Sequence, residues 1–220
     1  MRVSAVSMGD DESPEDVRAQ LARHAPPDNE APVAVAVNAV VGRSDGAAVI
    51  LSGFQVYSSG VEFTLAVRLR EEPMGSMRRD IHELVGFNGP GADASSHLLL
   101  GVEFSDGRRA ANIGIPSWHQ GVPADQPMLA GGGGGGGGKT YDQTTWLTPV
   151  PPAGPMTFVC AWAAFDIEET HTPVDGTALA EARSRVVELW PWEPPRQEAY
   201  EPVEPQLPAT GWFADTLGRR

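Results

Sequence analysis

The sequence has little lysine and no basic cluster, which bears on the partners it could bind. Among 220 residues, Lys139 is the one lysine, and 29 acidic residues outnumber 16 basic ones, giving a formal net charge of −13. An acidic surface repels phosphate backbones and anionic lipid headgroups. We therefore expect neither nucleic acid nor a membrane surface as a partner.

Cysteine and long apolar runs are also scarce. The single cysteine, Cys160, excludes an internal disulfide, and its position in the run MTFVCAW is typical of a buried thiol rather than a catalytic nucleophile. The first residues lack the apolar core of a signal peptide, and no stretch approaches the roughly 18 apolar residues of a membrane span. These absences predict a cytoplasmic protein.

What the sequence does contain favours β-structure. There are 25 glycines and 20 prolines, which predict many turns, and the 41% hydrophobic content suffices for one packed core. From Val61 to Arg70 apolar and polar residues alternate without a break, as in a strand with one buried face. Together with Ala47 to Val56, across a turn at Ser58 to Gly60, this segment predicts a long antiparallel hairpin.

Other segments extend the same pattern. Further strands are predicted at VAVAVNAVVGR from Val33, on both sides of Asp106–Gly107, and at YDQTTWLT and MTFVCAWAAF. One helix is predicted to begin after the cap Ser13, and another to extend from Thr177 to Trp190 with Asp175 as its cap. DIEETHTPVDG is predicted to be a loop. About seven antiparallel strands with two peripheral helices predict an all-β fold, a β-sandwich or flattened barrel.

Three regions follow from this pattern. Residues 1–32 are expected to be a polar arm with one short helix, residues 33–191 the β-sandwich domain with its C-terminal helix, and residues 192–220 a disordered, Pro-rich acidic tail. Residues 116–140 lose all periodicity and include eight consecutive glycines, so they are expected to form a long flexible loop.

The glycine run matches the phosphate-binding pattern formally, from Gly133 to Thr140. That chemistry needs a buried strand before the loop and a helix that begins at the lysine, so that its amides face the phosphates. PADQPMLA before the run and TYDQTTWLTPVPP after it fit neither requirement. We therefore expect a glycine loop without a nucleotide and predict no cofactor.

Other motifs are similarly weak. Gly42–Gly46 spells the nucleophile elbow with Ser44 at its centre, but a strand follows where that motif needs a helix. One predicted loop contains the residue types of a catalytic triad, at Asp93, Ser95, Ser96 and His97. In known triads these residues come from distant positions in the sequence and meet in space. Leu207–Gly211 resembles a sortase recognition site but lacks a membrane span after it.

Two groups of residues remain as candidates. Asp166, Glu168 and His171 belong to the densest group of possible ligands, in which hard oxygens and one imidazole could hold a divalent metal. Trp118 and Trp146 flank the glycine run and, with Lys139, form a candidate binding surface. Trp162 and Trp190 are expected in the core.

The glycine run, followed by TTWLTPVPPAGPMTF, CAW and DGTALAEARSRVVELWP, resembles a family of functionally unassigned, β-sandwich-like proteins from high-GC bacteria. The resemblance extends roughly from Val33 to Pro191. It implies no activity, ligand or site residue, but it marks the glycine and proline segments as parts of the fold.

Two functional hypotheses follow. The first is a non-enzymatic β-sandwich that acts by protein contact or as a structural protein, through the glycine loop and its neighbouring tryptophans. The second is a small enzyme or a ligand- or metal-binding protein, in which residues 116–140 form a lid and Asp166, Glu168 and His171 serve as acid, base or ligand. The second requires these side chains to converge on one cavity.

Overall fold

The computed structural model describes residues 13–72, 85, 96–113 and 125–195, and this part of the chain is mostly β-structure, which confirms the predicted all-β class. Its two bounded α-helices are α1 (Pro14–Ala22) and α2 (Gly176–Ala182). The strands are β1 (Glu30–Ala31), β2 (Val33–Arg43), β3 (Ala47–Val56), β4 (Val61–Leu69), β5 (Leu99–Glu103), β6 (Arg109–Ala111), β7 (Met128–Gly137), β8 (Thr140–Thr148), β9 (Pro155–Trp162), β10 (Ile167–Asp175) and β11 (Val187–Glu188).

The strands form two main antiparallel sheets and one small one. Sheet I has the order β2-β3-β4-β8-β7, sheet II has the order β10-β9-β5-β6, and β1 pairs with β11. Strand β10 lies against β2, and β6 lies against β7. The two sheets therefore approach each other along both edges, as in a flattened barrel.

The predicted hairpin of β3 and β4 is confirmed and forms the centre of sheet I. The alternating apolar residues of β4 are buried, and their side chains face sheet II. Phe54 and Phe63 stack with ring centroids 4.9 Å apart, and Phe158 of sheet II meets them edge-on at 6.2 and 5.6 Å. Each buried phenyl contributes about 1.5–3 kcal/mol, so these three rings fix how the sheets pack.

Buried hydrogen bonds hold the segments at the edge of sheet II. The side chain of Asn112 accepts a bond from the Leu100 amide and donates one to the Leu98 carbonyl, both at 2.8 Å. Trp162 is fully buried, as predicted, and its Nε1 donates to the carbonyl of Ser96 at 3.0 Å. These contacts tie the chain before β5 to the rest of the sheet.

The start of α1 is confirmed, whereas the predicted second helix is too long. Ser13 caps α1 by accepting a hydrogen bond from the Asp16 amide at 3.2 Å. Helix α2 ends at Ala182, and after a 3₁₀ turn the chain becomes the extended strand β11. Because the amide of Leu189 pairs with the carbonyl of Asn29, Leu189 and Trp190 lie on an extended segment and are 50% and 57% exposed. The predicted core position of Trp190 is therefore wrong.

Two segments predicted to be loops are strands. Strand β10 pairs with β9 from Ile167 to Asp175, within the predicted loop DIEETHTPVDG. Most of its residues are polar and only Ile167 is buried, so the sequence shows little apolar alternation. Strand β7 contains seven of the eight glycines. These two strands and the short pair β1 and β11 raise the count among the described residues from about seven to eleven.

Several predictions fall outside the described residues. They concern the first 12 residues, Trp118, Asp93, Ser95, and the tail from residue 196, which contains Leu207–Gly211. Within the described residues, no helix has the length and apolar character needed to cross a bilayer.

Candidate binding surface

The glycine run forms a β-hairpin with β8. Pairing runs from Gly134 with Gln143 to Gly137 with Thr140, and Gly138, with a φ of +59°, and exposed Lys139 make the turn. A strand therefore follows the lysine, not the helix that a phosphate-binding loop requires. The predicted structureless loop is wrong for residues 128–137, because pairing with β8 outweighs the poor strand propensity of glycine.

Neighbouring atoms explain why two of these positions need glycine. A Cβ on Gly134 would lie 2.5 Å from the Tyr141 hydroxyl oxygen, and one on Gly136 would overlap the Thr140 carbonyl oxygen. At Gly133, Gly135 and Gly137 an added Cβ would meet nothing within 4 Å. One face of the glycine strand is therefore filled by its neighbours, and the other is open.

The open face contributes to a shallow hollow on the outer face of sheet I, the face turned away from sheet II. The hollow has a volume of about 330 Å³ and is lined by Thr64, Gly133, Gly134, Gly135, Asp142, Gln143 and Thr144. The Asp142 carboxylate is 2.6 Å from the Arg68 guanidinium. Its charge is already paired, so the hollow presents mainly backbone, hydroxyl and methyl groups.

The outer edge of the same strand has no paired neighbour within the part of the chain that the structure describes. Among the described residues, Gly132–Gly137 form backbone hydrogen bonds with β8 alone, and all six glycines are exposed. Just before β7 the chain contacts the neighbouring sheet, where the Gln126 side chain donates to the carbonyl of Arg109. An irregularity in register lies between Gly131 and Gly134, and pairing is regular from Gly134 onward.

Trp146, predicted to belong to a binding surface, is buried in this structure. It lies on the outer face of sheet I opposite Glu62 but is only 3% exposed. Its Nε1 donates to the carbonyl of Ala22, the last residue of α1, at 3.0 Å. The sequence of β8 does not indicate that α1, which is distant in sequence, packs on Trp146.

Acidic groups lie beside this contact. Burial raises the pKa of Glu62, and burial, followed by the charges of Glu62 and Glu30, raises the pKa of Tyr57. The Glu30 side chain is 4% exposed and accepts a hydrogen bond from the Ser58 amide at 2.9 Å and another from its hydroxyl. Because Ser58 satisfies the carboxylate of Glu30, the arrangement is typical of a structural anchor.

The candidate metal ligands are not brought together. Asp166 has a left-handed backbone at the entry to β10, Glu168 is exposed, and His171 Nε2 lies 2.9 Å from Glu169 Oε1. Among residues 13–72, 85, 96–113 and 125–195, no three His, Cys, Asp or Glu side chains form a group that could hold a metal ion. The convergence that the enzyme hypothesis requires is therefore not seen here.

His171 does border a second hollow, on the outer face of sheet II. This open groove of about 470 Å³ is floored by Val159, Gly101 and Ala111, which form one row across the sheet with His171. Arg109 pairs with Glu103 at 2.8 Å, and His171 Nε2 lies 2.9 Å from the Oε1 atom of Glu169. Glu103 and His171 both line this groove, but each side chain already contacts a neighbouring side chain, Arg109 and Glu169 respectively.

The remaining motif residues have structural surroundings. The Ser44 hydroxyl accepts hydrogen bonds from the amides of Gly46 and Ala47 at 3.2 and 3.1 Å, which confirms a hairpin turn. Cys160 is fully buried, and burial raises its pKa to about 12. A thiol with this pKa is not a nucleophile near neutral pH.

Comparison of the chain with models of protein families, with curated proteins and with solved structures gave no significant match in any of the three. Its function has to be inferred from its own surfaces.

Proposed function

We propose that this chain is a non-enzymatic protein-binding domain whose β7 edge accepts an extended segment of a partner protein as an added strand. The observation that carries the proposal is the exposed, side-chain-free edge of Gly132–Gly137, which has no backbone partner other than β8 among the described residues. Backbone N–H and C=O groups require hydrogen-bond partners, and another extended chain matches their spacing.

The hollow beside this edge supports the choice of an extended peptide. Side chains of an added strand alternate between the two faces, and those on the outer face would lie next to Gly133 and Gly135, where nothing fills the space. Aromatic side chains pack well over bare glycines in neighbouring strands. We therefore expect a segment that carries an aromatic residue at an outward position.

The charge of the protein restricts the kind of peptide segment that could bind. The net charge of −13 disfavours acidic segments. The carboxylate nearest the hollow, Asp142, already pairs with Arg68, so the hollow itself does not demand a cation. A neutral or mildly basic extended segment fits both observations.

A peptide-display selection with the full chain as bait tests this proposal. Gly135→Lys places a long side chain over the hollow without a clash, and Gly46→Lys is the matched control, since a Cβ there also meets nothing within 4 Å but lies in the β2–β3 turn. We expect selected peptides to bind the wild type and Gly46→Lys equally and Gly135→Lys at least tenfold more weakly. Binding should also slow hydrogen exchange at the amides of Gly133–Gly137.

Two results would contradict the proposal. One is a selection that enriches no peptide. The other is a set of peptides that bind the wild type and Gly135→Lys with equal affinity and leave glycine exchange unchanged.

A further inference from the structure

The hollow and Trp146 lie on the same face of sheet I. Along β8 the outward residues are Asp142, Thr144 and Trp146, and the last two pair with Thr64 and Glu62 of β4. Thr144 and Thr64 line the hollow, so the indole begins one outward position further, about 7 Å along the strand. The hollow would continue onto the indole if α1 did not lie over it.

Helix α1 is short and buries little of its surface. It has nine residues, and Val17 is its only buried residue. Helices this short are not stable without tertiary contacts. The Arg18 guanidinium lies 3.9 Å from Glu30 and 3.8 Å from Glu188, distances at the upper limit for ion pairs. The end of the helix contacts sheet I through the bond from Trp146 to Ala22 and through the Arg23 guanidinium, which lies 2.7 Å from the Met128 sulfur.

The aromatic surface below α1 is supported from sheet I itself. The Trp146 ring rests on Gly60, where an added Cβ would lie 2.5 Å from the ring, and Tyr57 meets it edge-on at 5.7 Å. Both residues belong to the turn between β3 and β4, which closes through the Tyr57 amide and the Gly60 carbonyl. Departure of α1 would therefore expose a Trp146 ring that Tyr57 and Gly60 hold in place, and would leave the indole N–H without the Ala22 acceptor.

We infer that α1 is a displaceable cover over Trp146, and that its displacement extends the peptide-binding surface of β7 across the hollow to this ring and the Tyr57 ring beside it. The inference rests on the proposed function. The Ala22 carbonyl occupies the position that a carbonyl of the bound segment would take. The cover then makes binding depend on an opening step within this chain.

The opening step is measured without any partner. Val17→Asp places a charge at the buried contact of α1, and Ala19→Asp adds the same charge to an exposed position of the same helix. We expect exchange of the Trp146 Nε1 proton, assigned by comparison with Trp146→Phe, to accelerate at least tenfold in Val17→Asp and to stay unchanged in Ala19→Asp. Ala19→Pro, which breaks the helix from its exposed side, should match Val17→Asp.

The cover is refuted if this proton exchanges only together with the buried amides of β4 in both helix-disrupting variants. Such a result would mean that the ring stays covered until the whole domain unfolds. It would leave the edge-binding proposal intact.

Binding completes the test. Peptides selected on the wild type should bind Val17→Asp at least fivefold more tightly than Ala19→Asp, and adding Trp146→Phe to Val17→Asp should remove that gain. If Gly135→Lys weakens binding but the two helix variants bind alike, the cover is wrong and the β7 site stands. If Gly135→Lys binds like the wild type, the β7 site is wrong, and the extension proposed here is wrong with it.

Discussion

Gly60 lies directly beneath the indole of Trp146, and no side chain fits between them. A Cβ at position 60 would lie 2.5 Å from Cζ2 of that ring and 2.6 Å from the Leu147 carbonyl oxygen. Because one of these atoms belongs to the backbone of a central strand, the clash is not relieved by a rotamer change. We expect Gly60→Ala to lower the free energy of unfolding by about 1–3 kcal/mol, measured by urea denaturation.

Gly46→Ala is the control for this substitution. A Cβ at position 46 meets nothing within 4 Å, so we expect a change within about 0.5 kcal/mol. Equal stabilities of the two variants would show that Trp146 does not rest on Gly60.

The glycine strand predicts opposite effects at adjacent positions. At Gly136 a methyl group would overlap the Thr140 carbonyl, so Gly136→Ala should destabilise by about 1–3 kcal/mol. At Gly135 the space is open, and alanine restricts the unfolded chain, so Gly135→Ala should stabilise by about 0.4–1 kcal/mol. Thermal unfolding of both variants and the wild type measures the two effects. A similar loss of stability at both positions would contradict the pairing of β7 with β8.

The segments that were predicted correctly are those whose local pattern agrees with the tertiary environment. Strand β4 alternates because one of its faces packs on sheet II, and Ser13 followed by proline and two acidic residues starts α1. Strand β7 was missed because glycine carries no periodicity. Its pairing is visible only in β8, where Tyr141, Gln143 and Thr145 alternate with outward polar residues.

The binding surface was less predictable than the fold. Trp146 was identified as a candidate from its place next to the glycine run, yet its exposure is set by α1, which lies 124 residues away in sequence. Likewise, Leu189 and Trp190 keep helical spacing with Leu179, but pairing of the following segment with β1 ends the helix early. Contacts between distant segments decided both cases.

The side chain of Asn112 should contribute strongly to stability. Asn112→Asp keeps the acceptor for the Leu100 amide but replaces the donor to the Leu98 carbonyl with a carboxylate oxygen, at a site only 7% exposed. We expect a loss of at least about 2 kcal/mol at pH 7 in urea denaturation. Burial raises the pKa of the introduced carboxyl, so part of the loss should return as the pH falls and the group is protonated.

Asn38→Asp is the matched control, because Asn38 lies exposed on β2. It should change stability by less than about 0.5 kcal/mol. If both variants lose equally, the added charge and not the two hydrogen bonds of Asn112 explains the effect.

Cys160 should make stability fall at alkaline pH. Burial raises its pKa in the folded protein to about 12, whereas an unfolded cysteine titrates near about 8.5. Below pH 8.5 both states hold the proton and the thiol adds no pH dependence. Between the two pKa values only the unfolded state loses the proton, so stability should fall by up to about 1.4 kcal/mol per pH unit.

Urea denaturation of the wild type and Cys160→Ala from pH 7 to 11 measures this pH dependence as the difference between the slopes of their stability curves. Parallel curves, or alkylation of the native thiol by iodoacetamide at pH 9 faster than global unfolding, would show that Cys160 is not held as a buried thiol.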